Sequence, residues 1–290
     1  MSAPTRNAVR VRVRVTGLVQ GVGFRPFVYT AATDHGVCGF VGNDAAGVFA
    51  ELQGAPHDVD AVLAALAVGP PLAAVAGVEA EPIPCVEPHP VGFAIVDSHR
   101  GGSVATFVAP DTAVCADCLA ELFDPADRRY RYPFVTCTNC GPRFTITTAL
   151  PYDRPNTTMA PFELCPACLA EYSDPSDRRF HAQPLACPAC GPQVRLELSD
   201  RTVTGTDAVI AAAQRVLADG GIVAVKGVGG YHLACDARNG AAVAELRRRK
   251  QRPHKPLAVM AGDLAIAERL GTVGATETEL LVSPARPIVL

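Results

Sequence analysis

Apolar and charged residues alternate with a period of two at the start of the chain. This period predicts a strand with one buried face, formed by Val9, Arg10, Val11, Arg12, Val13, Arg14 and Val15. Later apolar patterns predict helices at 24–34 and 59–68 and strands at 37–41, 48–52, 74–78 and 93–96. The resulting order, βαββαβ, predicts a ferredoxin-like split sandwich.

Towards the other end, helical periods alternate with short apolar runs. Apolar residues between positions 209 and 217 share one helical face, and we expect Thr206 and Asp207 to cap this helix. Strands at 222–225 and 257–260 alternate with helices at 241–250 and after Asp263, which predicts an α/β domain with part of its sheet parallel. Residues 287–290 also have the pattern of a strand, so we expect the chain to be a fragment that stops inside this domain.

The middle of the chain contains two copies of one sequence unit, fifty residues apart. In each copy, 18 residues separate two CxxC pairs, a spacing typical of a four-thiolate zinc site. Four thiolates close the tetrahedral shell, so such an ion is structural. The sequence therefore predicts two Zn²⁺ ions, with eight ligands: Cys115, Cys118, Cys137, Cys140, Cys165, Cys168, Cys187 and Cys190.

The pairing of the four CxxC motifs is open at this level. Sequential pairing within each copy is the simplest arrangement, and pairing exchanged between the copies is the alternative. Redox-active or unbonded core cysteines are a further alternative, which the doubled spacing disfavours. We expect the three isolated cysteines, Cys38, Cys85 and Cys235, to be ordinary buried thiols.

Composition and charge indicate what class of protein contains these motifs. The 290 residues suggest two or three domains, and the net charge of −3 disfavours a protein that coats nucleic acid. Residues 1–14 lack the apolar core of a signal peptide, and no apolar run has the length of a membrane helix. We therefore expect a cytoplasmic protein whose cysteines are reduced.

A glycine-rich turn at 17–23 joins the first strand to the first helix. Glycines allow backbone N–H groups to converge on an anion, and the helix N-terminus adds partial positive charge. This predicts a phosphate cradle with Arg25 as a forked donor. The alternative is a tight turn with a solvated arginine. The candidate phosphate-binding residues are Gln20, Gly21, Val22, Gly23, Phe24 and Arg25.

The motif Gly-Leu-Val-Gln-Gly-Val-Gly-Phe-Arg at 17–25, followed by Gly-Phe-Val-Gly-Asn at 39–43, resembles the acylphosphatase signature. The resemblance covers about ninety residues. It implies that Arg25 binds the phosphate and that Asn43 positions the attacking water. An acyl phosphate has a stable leaving group, so positioning and charge neutralisation suffice without an acid–base pair.

The third region resembles the YrdC-like domain of threonylcarbamoyl-adenylate synthases. The resemblance rests on Lys-Gln-Arg-Pro at 250–253, with Lys-Gly at 226–227 and Tyr-His-Leu-Ala-Cys-Asp-Ala at 231–237. It implies that Lys250 and Arg252 contact nucleotide and phosphate groups, with Lys226 and Lys255 as further candidates. Without it, the basic stretch is a helix end whose charges suit the helix dipole.

The order of these regions resembles the hydrogenase maturation carbamoyltransferases of the HypF type. We expect an α+β multidomain chain: an acylphosphatase-like domain at 7–98, a linker at 99–112, tandem zinc fingers at 113–193 and an incomplete YrdC-like α/β domain at 200–290. The resemblance implies carbamoyl phosphate and ATP with Mg²⁺ as substrates. It also implies carbamoyl adenylate as an intermediate and transfer to a partner protein's C-terminal cysteine.

Two other functions remain open from the sequence. The first is a zinc-binding acylphosphatase that only hydrolyses. The second is a zinc-finger protein that binds nucleic acid through the arginines of the repeats, although neighbouring aspartates reduce their field. A tRNA-modifying synthase would leave the N-terminal domain unexplained.

Overall fold

The computed structural model describes residues 8–99 and 106–290. Residue 7, where we expect the first domain to begin, and residues 100–105 of the expected linker lie outside the described residues. The chain forms two compact units. One contains the described residues up to Asp111 together with Phe134–Gly191, and the other contains Thr112–Pro133 together with Pro192–Leu290.

The first unit contains a five-stranded sheet with two helices. Its elements are β1 (Val9–Leu18), α1 (Phe24–Asp34), β2 (Cys38–Asp44), β3 (Gly47–Gly54), α2 (Pro56–Val68), β4 (Ala74–Pro82) and β5 (Phe93–Ile95). The strand order is β4-β1-β3-β2-β5, and all pairs are antiparallel except β2 with β5. The predicted βαββαβ order and ferredoxin-like class are confirmed.

The alternation in β1 divides its side chains between core and solvent. Val13 and Val15 are fully buried against the apolar faces of α1 and α2, which contribute Val28 and Leu66. On the opposite face Arg14 forms a salt bridge with Asp44 at 2.7 Å. Because a period of two puts successive side chains on opposite faces, this strand was predictable from its sequence.

Each copy of the repeat forms one short helix directly after its first cysteine. These helices are α3 (Ala116–Phe123) and α4 (Pro166–Ser173), with Cys115 and Cys165 as their N-caps. Equivalent residues Arg131 and His181 both have positive φ, 57° and 54°. The repetition in sequence is therefore a repetition in backbone conformation.

The remaining elements belong to the second unit. They are β6 (Arg195–Glu197), β7 (Thr202–Thr204), α5 (Thr206–Ala218), β8 (Val223–Gly227), β9 (Gly230–Ala234), α6 (Gly240–Lys250), α7 (Leu264–Leu270) and α8 (Ala275–Val282). The predicted helices are confirmed, and Asp263 caps α7 by accepting a hydrogen bond from the Ile266 N–H at 2.7 Å.

Four expectations for this unit were wrong. The strand pairs of its described residues, β6 with β7 and β8 with β9, are antiparallel, and residues 257–260 and 287–290 form no strand. Met260, in the first of these runs, is almost fully exposed, so the run is not a buried strand. Gly205, not Thr206 or Asp207, is the N-cap of α5 and has no side-chain hydrogen bond. The Asp207 carboxylate, in the first turn of the helix, pairs with Arg131 at 2.6 Å.

Among the described residues, no helix has both the length and the apolar character needed to cross a membrane.

Candidate functional site

The loop between β1 and α1 has the backbone conformation that a phosphate cradle requires. Gly21 and Gly23 have φ values of 74° and 79°, a region that other residues rarely adopt. A Cβ atom on Gly23 would lie 2.8 Å from the Thr138 Cγ2 atom. Val22 and Phe24 are buried in the core, so their side chains anchor the loop and only their backbone can face an anion.

The side chain of Gln20 holds this loop in place by hydrogen bonds. Its side-chain amide donates to the carbonyls of Asp44 at 2.7 Å and Gly47 at 2.9 Å. Its Oε1 accepts a hydrogen bond from the Tyr152 N–H at 2.9 Å. All of these partners are backbone groups, so the Gln20 side chain joins the loop to the β2–β3 turn and to the segment at 151–153.

The structure brings the two candidate catalytic residues to one cavity. Arg25, from the first turn of α1, and Asn43, near the end of β2, line a cavity of about 30 Å³ beside Gly21 and Gly23. That volume has room for one or two water molecules. The Asn43 Oδ1 atom is buried and has no hydrogen-bond partner among the described residues. An unsatisfied buried acceptor is costly, and this one faces a water-sized space.

The Arg25 guanidinium is already paired with an anion of its own chain. It donates to the Asp153 carboxylate at 2.6 Å, to the Ser98 hydroxyl at 3.2 Å and to the Tyr152 carbonyl at 3.3 Å. Arg25 is only 8% exposed. A carboxylate therefore occupies a donor that a phosphoryl group would use.

His181 lines the same cavity. Burial, and then the positive charge of Arg25, lower the pKa of His181 to about 4. The imidazole is therefore neutral at neutral pH, and the cationic side chains that line the cavity are the guanidiniums of Arg25 and Arg143.

Arg143 joins the first zinc finger to the cradle. Its Nε donates to the Gly21 carbonyl, while its terminal nitrogens donate to the carbonyls of Cys140 at 2.8 Å, Thr138 at 2.9 Å and Cys137 at 3.1 Å. Arg143 is only 3% exposed. The single guanidinium of Arg143 thus donates hydrogen bonds both to the turn that carries Cys137 and Cys140 and to the cradle at Gly21.

Four residues that contact or line this site were not predicted from the sequence: Arg143, Tyr152, Asp153 and His181. Two of them stand where the copies of the repeat differ, since Arg143 corresponds to Gln193 and His181 to Arg131. A position where the two copies differ is the signal that could have identified these two residues.

The second finger has the geometry of a closed zinc site. Three Sγ–Sγ distances between its cysteines are 3.7, 3.7 and 3.6 Å, and about 3.8 Å is expected for a tetrahedron with Zn–S bonds of about 2.3 Å. A hydrogen bond from the Cys168 backbone N–H lowers the pKa of Cys165 to about 6. Thiolates in this arrangement fit one Zn²⁺ ion.

Eight of the eleven cysteines form two groups of four, and each group belongs to one copy of the repeat. The structure therefore brings the cysteines together in the sequential pairing. In the first copy the Cys137 and Cys140 sulfurs lie 3.7 Å apart, and the Asn139 N–H donates to the Cys137 sulfur at 3.3 Å. Gly141 has a φ of 88°, as a knuckle after the last cysteine requires. Of the three isolated cysteines, Cys85 is exposed and Cys38 and Cys235 are half-buried, so the expectation that all three are buried was wrong.

Two of the arginines of the repeats are buried and cannot contribute to a surface that binds nucleic acid. Arg129 and Arg179 are 1% and 3% exposed, and the Arg179 Nε donates to the Thr136 carbonyl at 3.2 Å. Buried guanidiniums cannot reach a phosphate backbone.

The candidate nucleotide-binding residues lie on two exposed segments of the second unit. Lys250, Arg252 and Lys255 are at or just after the end of α6, and Lys226 is in β8. Arg247 holds the loop by donating to the Arg252 carbonyl at 3.2 Å and the Lys255 carbonyl at 2.8 Å. No hydrogen bond or salt bridge between described residues joins Lys226 to this loop. The structure therefore does not bring these four residues together in one site.

Comparison with known families gives three matches along the chain. The acylphosphatase family matches residues 11–95, and the HypF finger matches residues 114–147 and 164–197. The Sua5/YciO/YrdC family, described as telomere recombination, matches residues 215–290.

Relatives and solved structures agree with this order. Carbamoyltransferase HypF2 of Cupriavidus necator is 55% identical over 285 residues, which are 97% of this chain and 35% of that protein. The crystal structure of a full-length HypF in the phosphate- and nucleotide-bound form superposes with a TM-score of 0.87 at 42% identity, covering 96% of this chain and 36% of that one. An acylphosphatase of Caldivirga maquilingensis is 42% identical over 91 residues, which are 95% of its length. The chain thus spans about a third of the HypF proteins and almost all of an acylphosphatase.

Proposed function

This chain belongs to the HypF carbamoyltransferase family and carries an acylphosphatase domain, and we propose that it binds and hydrolyses carbamoyl phosphate at Arg25 and Asn43. One observation carries the proposal: a buried guanidinium and an unpartnered buried amide oxygen, within the part of the chain that the structure describes, line one cavity at a glycine cradle.

The chemistry follows from what each group can do. In the proposed complex the backbone N–H groups of residues 20–25 and the Arg25 guanidinium hold the phosphoryl oxygens and neutralise charge in the transition state. The Asn43 Oδ1 atom accepts a hydrogen bond from the attacking water and aligns it. Because His181 is neutral at neutral pH, it adds no competing cation beside Arg25.

We extend the proposal to the second unit by analogy with the family. There, Lys226, Lys250, Arg252 and Lys255 bind ATP with Mg²⁺ in the formation of carbamoyl adenylate, and the acceptor is a partner protein's C-terminal cysteine. The match of residues 215–290 to the Sua5/YciO/YrdC family supports this role. The domain bounds 7–98, 113–193 and 200–290, with a linker at 99–112, belong to the same proposal.

The test is phosphate release from carbamoyl phosphate, without ATP, by the wild-type chain and by Arg25→Ala. Loss of the clamping arginine is expected to lower the rate on the order of 100-fold or more. Arg12→Ala is the matched control, because Arg12 is an exposed arginine on the solvent face of β1, with 59% of its side chain accessible. Release that is absent, or equal in wild type and Arg25→Ala, would refute the proposed site.

A further inference from the structure

Tyr152 carries a buried hydroxyl that makes no hydrogen bond to the described residues. Tyr152 is 4% exposed, and its hydroxyl has no hydrogen-bond partner among the described residues. Tyrosine hydroxyls that are buried normally find a partner, since an unsatisfied donor is costly. Phenylalanine would fill the same space without that cost, so packing alone does not explain a tyrosine here.

The backbone of Tyr152 is fixed to the cradle on both sides. Its N–H donates to the Gln20 Oε1 at 2.9 Å, and its carbonyl accepts from the Arg25 guanidinium at 3.3 Å. Its ring lies over the cradle, with Cδ1 at 3.5 Å from the position of a Cβ on Gly21. A residue between the two zinc fingers is thus held by two of the predicted phosphate-binding residues.

Tyr152 lines the cavity of the proposed site, together with Arg25, Asn43 and Gly23. Two of these residues carry a buried polar atom without a hydrogen-bond partner among the described residues: the Asn43 Oδ1 atom and the Tyr152 hydroxyl. Burial raises the pKa of the phenol, so the hydroxyl keeps its proton at neutral pH. A carbamoyl phosphate has several oxygens that accept a hydrogen bond and amide hydrogens that donate one, so it complements both groups.

We propose that the Tyr152 hydroxyl donates a hydrogen bond to an oxygen of the bound acyl phosphate, as a binding and specificity residue that the segment between the zinc fingers adds to the acylphosphatase cradle. This inference rests on the proposed acyl phosphate site. It separates this site from a cradle built by the ferredoxin-like domain alone, because Tyr152 lies outside the acylphosphatase match at residues 11–95.

The experiment compares Tyr152→Phe with wild type in the whole chain. We expect kcat/KM for carbamoyl phosphate to fall on the order of 10-fold or more and inorganic phosphate or the acyl phosphate to bind more weakly. The melting temperature without ligand is expected to be unchanged or higher, because the substitution removes an unsatisfied buried hydroxyl. A purely structural tyrosine would behave in the opposite way, with a lower melting temperature.

Two further variants make the result decisive. Tyr29→Phe is the matched control, since Tyr29 is in α1 of the same unit and packs edge-on against Phe180; its kinetics should equal those of wild type. If Arg25→Ala loses activity while Tyr152→Phe keeps wild-type kcat/KM, the Tyr152 inference is overturned and the proposed function stands. If wild-type release is indifferent to Arg25, the proposed function fails, and the inference fails with it.

Discussion

At the scale of single residues, the ability of Arg25 to bind an anion depends on its ion pair with Asp153. The Asp153 carboxylate lies 2.6 Å from its guanidinium, and the pair is largely buried, with 9% and 21% of the side chains accessible. A carboxylate at this place keeps a buried charge paired, and a phosphoryl group must compete with it. Asp153 therefore sets how readily the cradle accepts an anion.

Asp153→Asn tests this competition. Removal of the carboxylate charge is expected to strengthen the binding of inorganic phosphate by about 10-fold, which corresponds to about 1.4 kcal/mol, because the ligand then displaces only a neutral amide. Titration calorimetry with inorganic phosphate measures the change, with the exposed Asp60→Asn in α2 as the control. Weaker binding in Asp153→Asn would show instead that Asp153 orients Arg25 for the ligand.

His181 gives the fold a dependence on pH. Its pKa of about 4 in the folded chain lies below its ordinary value of 6.5, because of burial and then Arg25, while Asp153 acts in the opposite direction. Between pH 6.5 and 4 the unfolded chain binds a proton that the folded chain does not, so acidification favours unfolding.

His181→Asn should make the melting temperature less sensitive to pH in this range. Asparagine tolerates the positive φ of 54°, so the backbone is expected to persist. The stability that wild type loses through this group is on the order of 1 kcal/mol, reduced by the partial exposure of the ring. Thermal unfolding between pH 4 and 6.5 checks this, and the exposed His57→Asn should keep the wild-type slope. Equal slopes in wild type and His181→Asn would contradict it.

Among the elements, the connection from cradle to zinc knuckle depends on Arg143. Helix α1 and strand β1 hold the cradle, and the turn at Cys137–Cys140 presents its carbonyls to the same side chain. The equivalent residue in the second copy is Gln193. The first finger therefore supports the cradle loop through Arg143. The segment that follows this finger contributes Tyr152 and Asp153 to the site.

Arg143→Gln converts this position to the residue of the second copy. It leaves several buried carbonyls without a donor, so we expect a loss of about 2–4 kcal/mol in the free energy of unfolding and slower phosphate release. Chemical denaturation and the carbamoyl phosphate assay measure both effects. Arg195→Gln is the control, since 71% of the Arg195 side chain is accessible in β6. An unchanged stability would mean that Arg143 does not support the cradle.

At the scale of the whole molecule, the phosphate cradle depends on the chain around the zinc fingers. The groups that surround Arg25 come from the sheet domain and from the chain around the fingers, as Ser98, Tyr152 and Asp153 show. Closed four-thiolate sites contribute folding energy directly. The proposed activity should therefore depend on structural zinc, although no metal takes part in the proposed step.

Purified protein is expected to contain two zinc ions per chain, as its two groups of four cysteines require. Cys168→Ser should reduce the content to about one ion, while Cys85→Ser, at an exposed cysteine outside the groups, should leave it unchanged. Chelation should lower both the melting temperature and the rate of phosphate release. Elemental analysis beside the activity assay tests this, and full activity in zinc-free protein would contradict it.

Much of the architecture was predictable because its signals are local. The alternation in β1 and the doubled CxxC spacing each lie within one element or one repeat, and the side-chain period of a strand or the reach of two thiolate turns determines what they form. Where the signal was apolar but not periodic, as at 257–260, the prediction failed, because a short apolar run becomes a strand only when a sheet edge is present to pair with it.

The sequence by itself determined the order of domains and identified the eight cysteines, Arg25 and Asn43 as candidate site residues. Only the tertiary structure decided what surrounds them. Arg25 and Asp153 are 128 positions apart, and neither Tyr152 nor Asp153 stands in a local pattern that indicates a site. Contacts between distant segments depend on how packed elements meet, so the buried hydroxyl, the paired carboxylate and the neutral imidazole at the cradle follow from the fold.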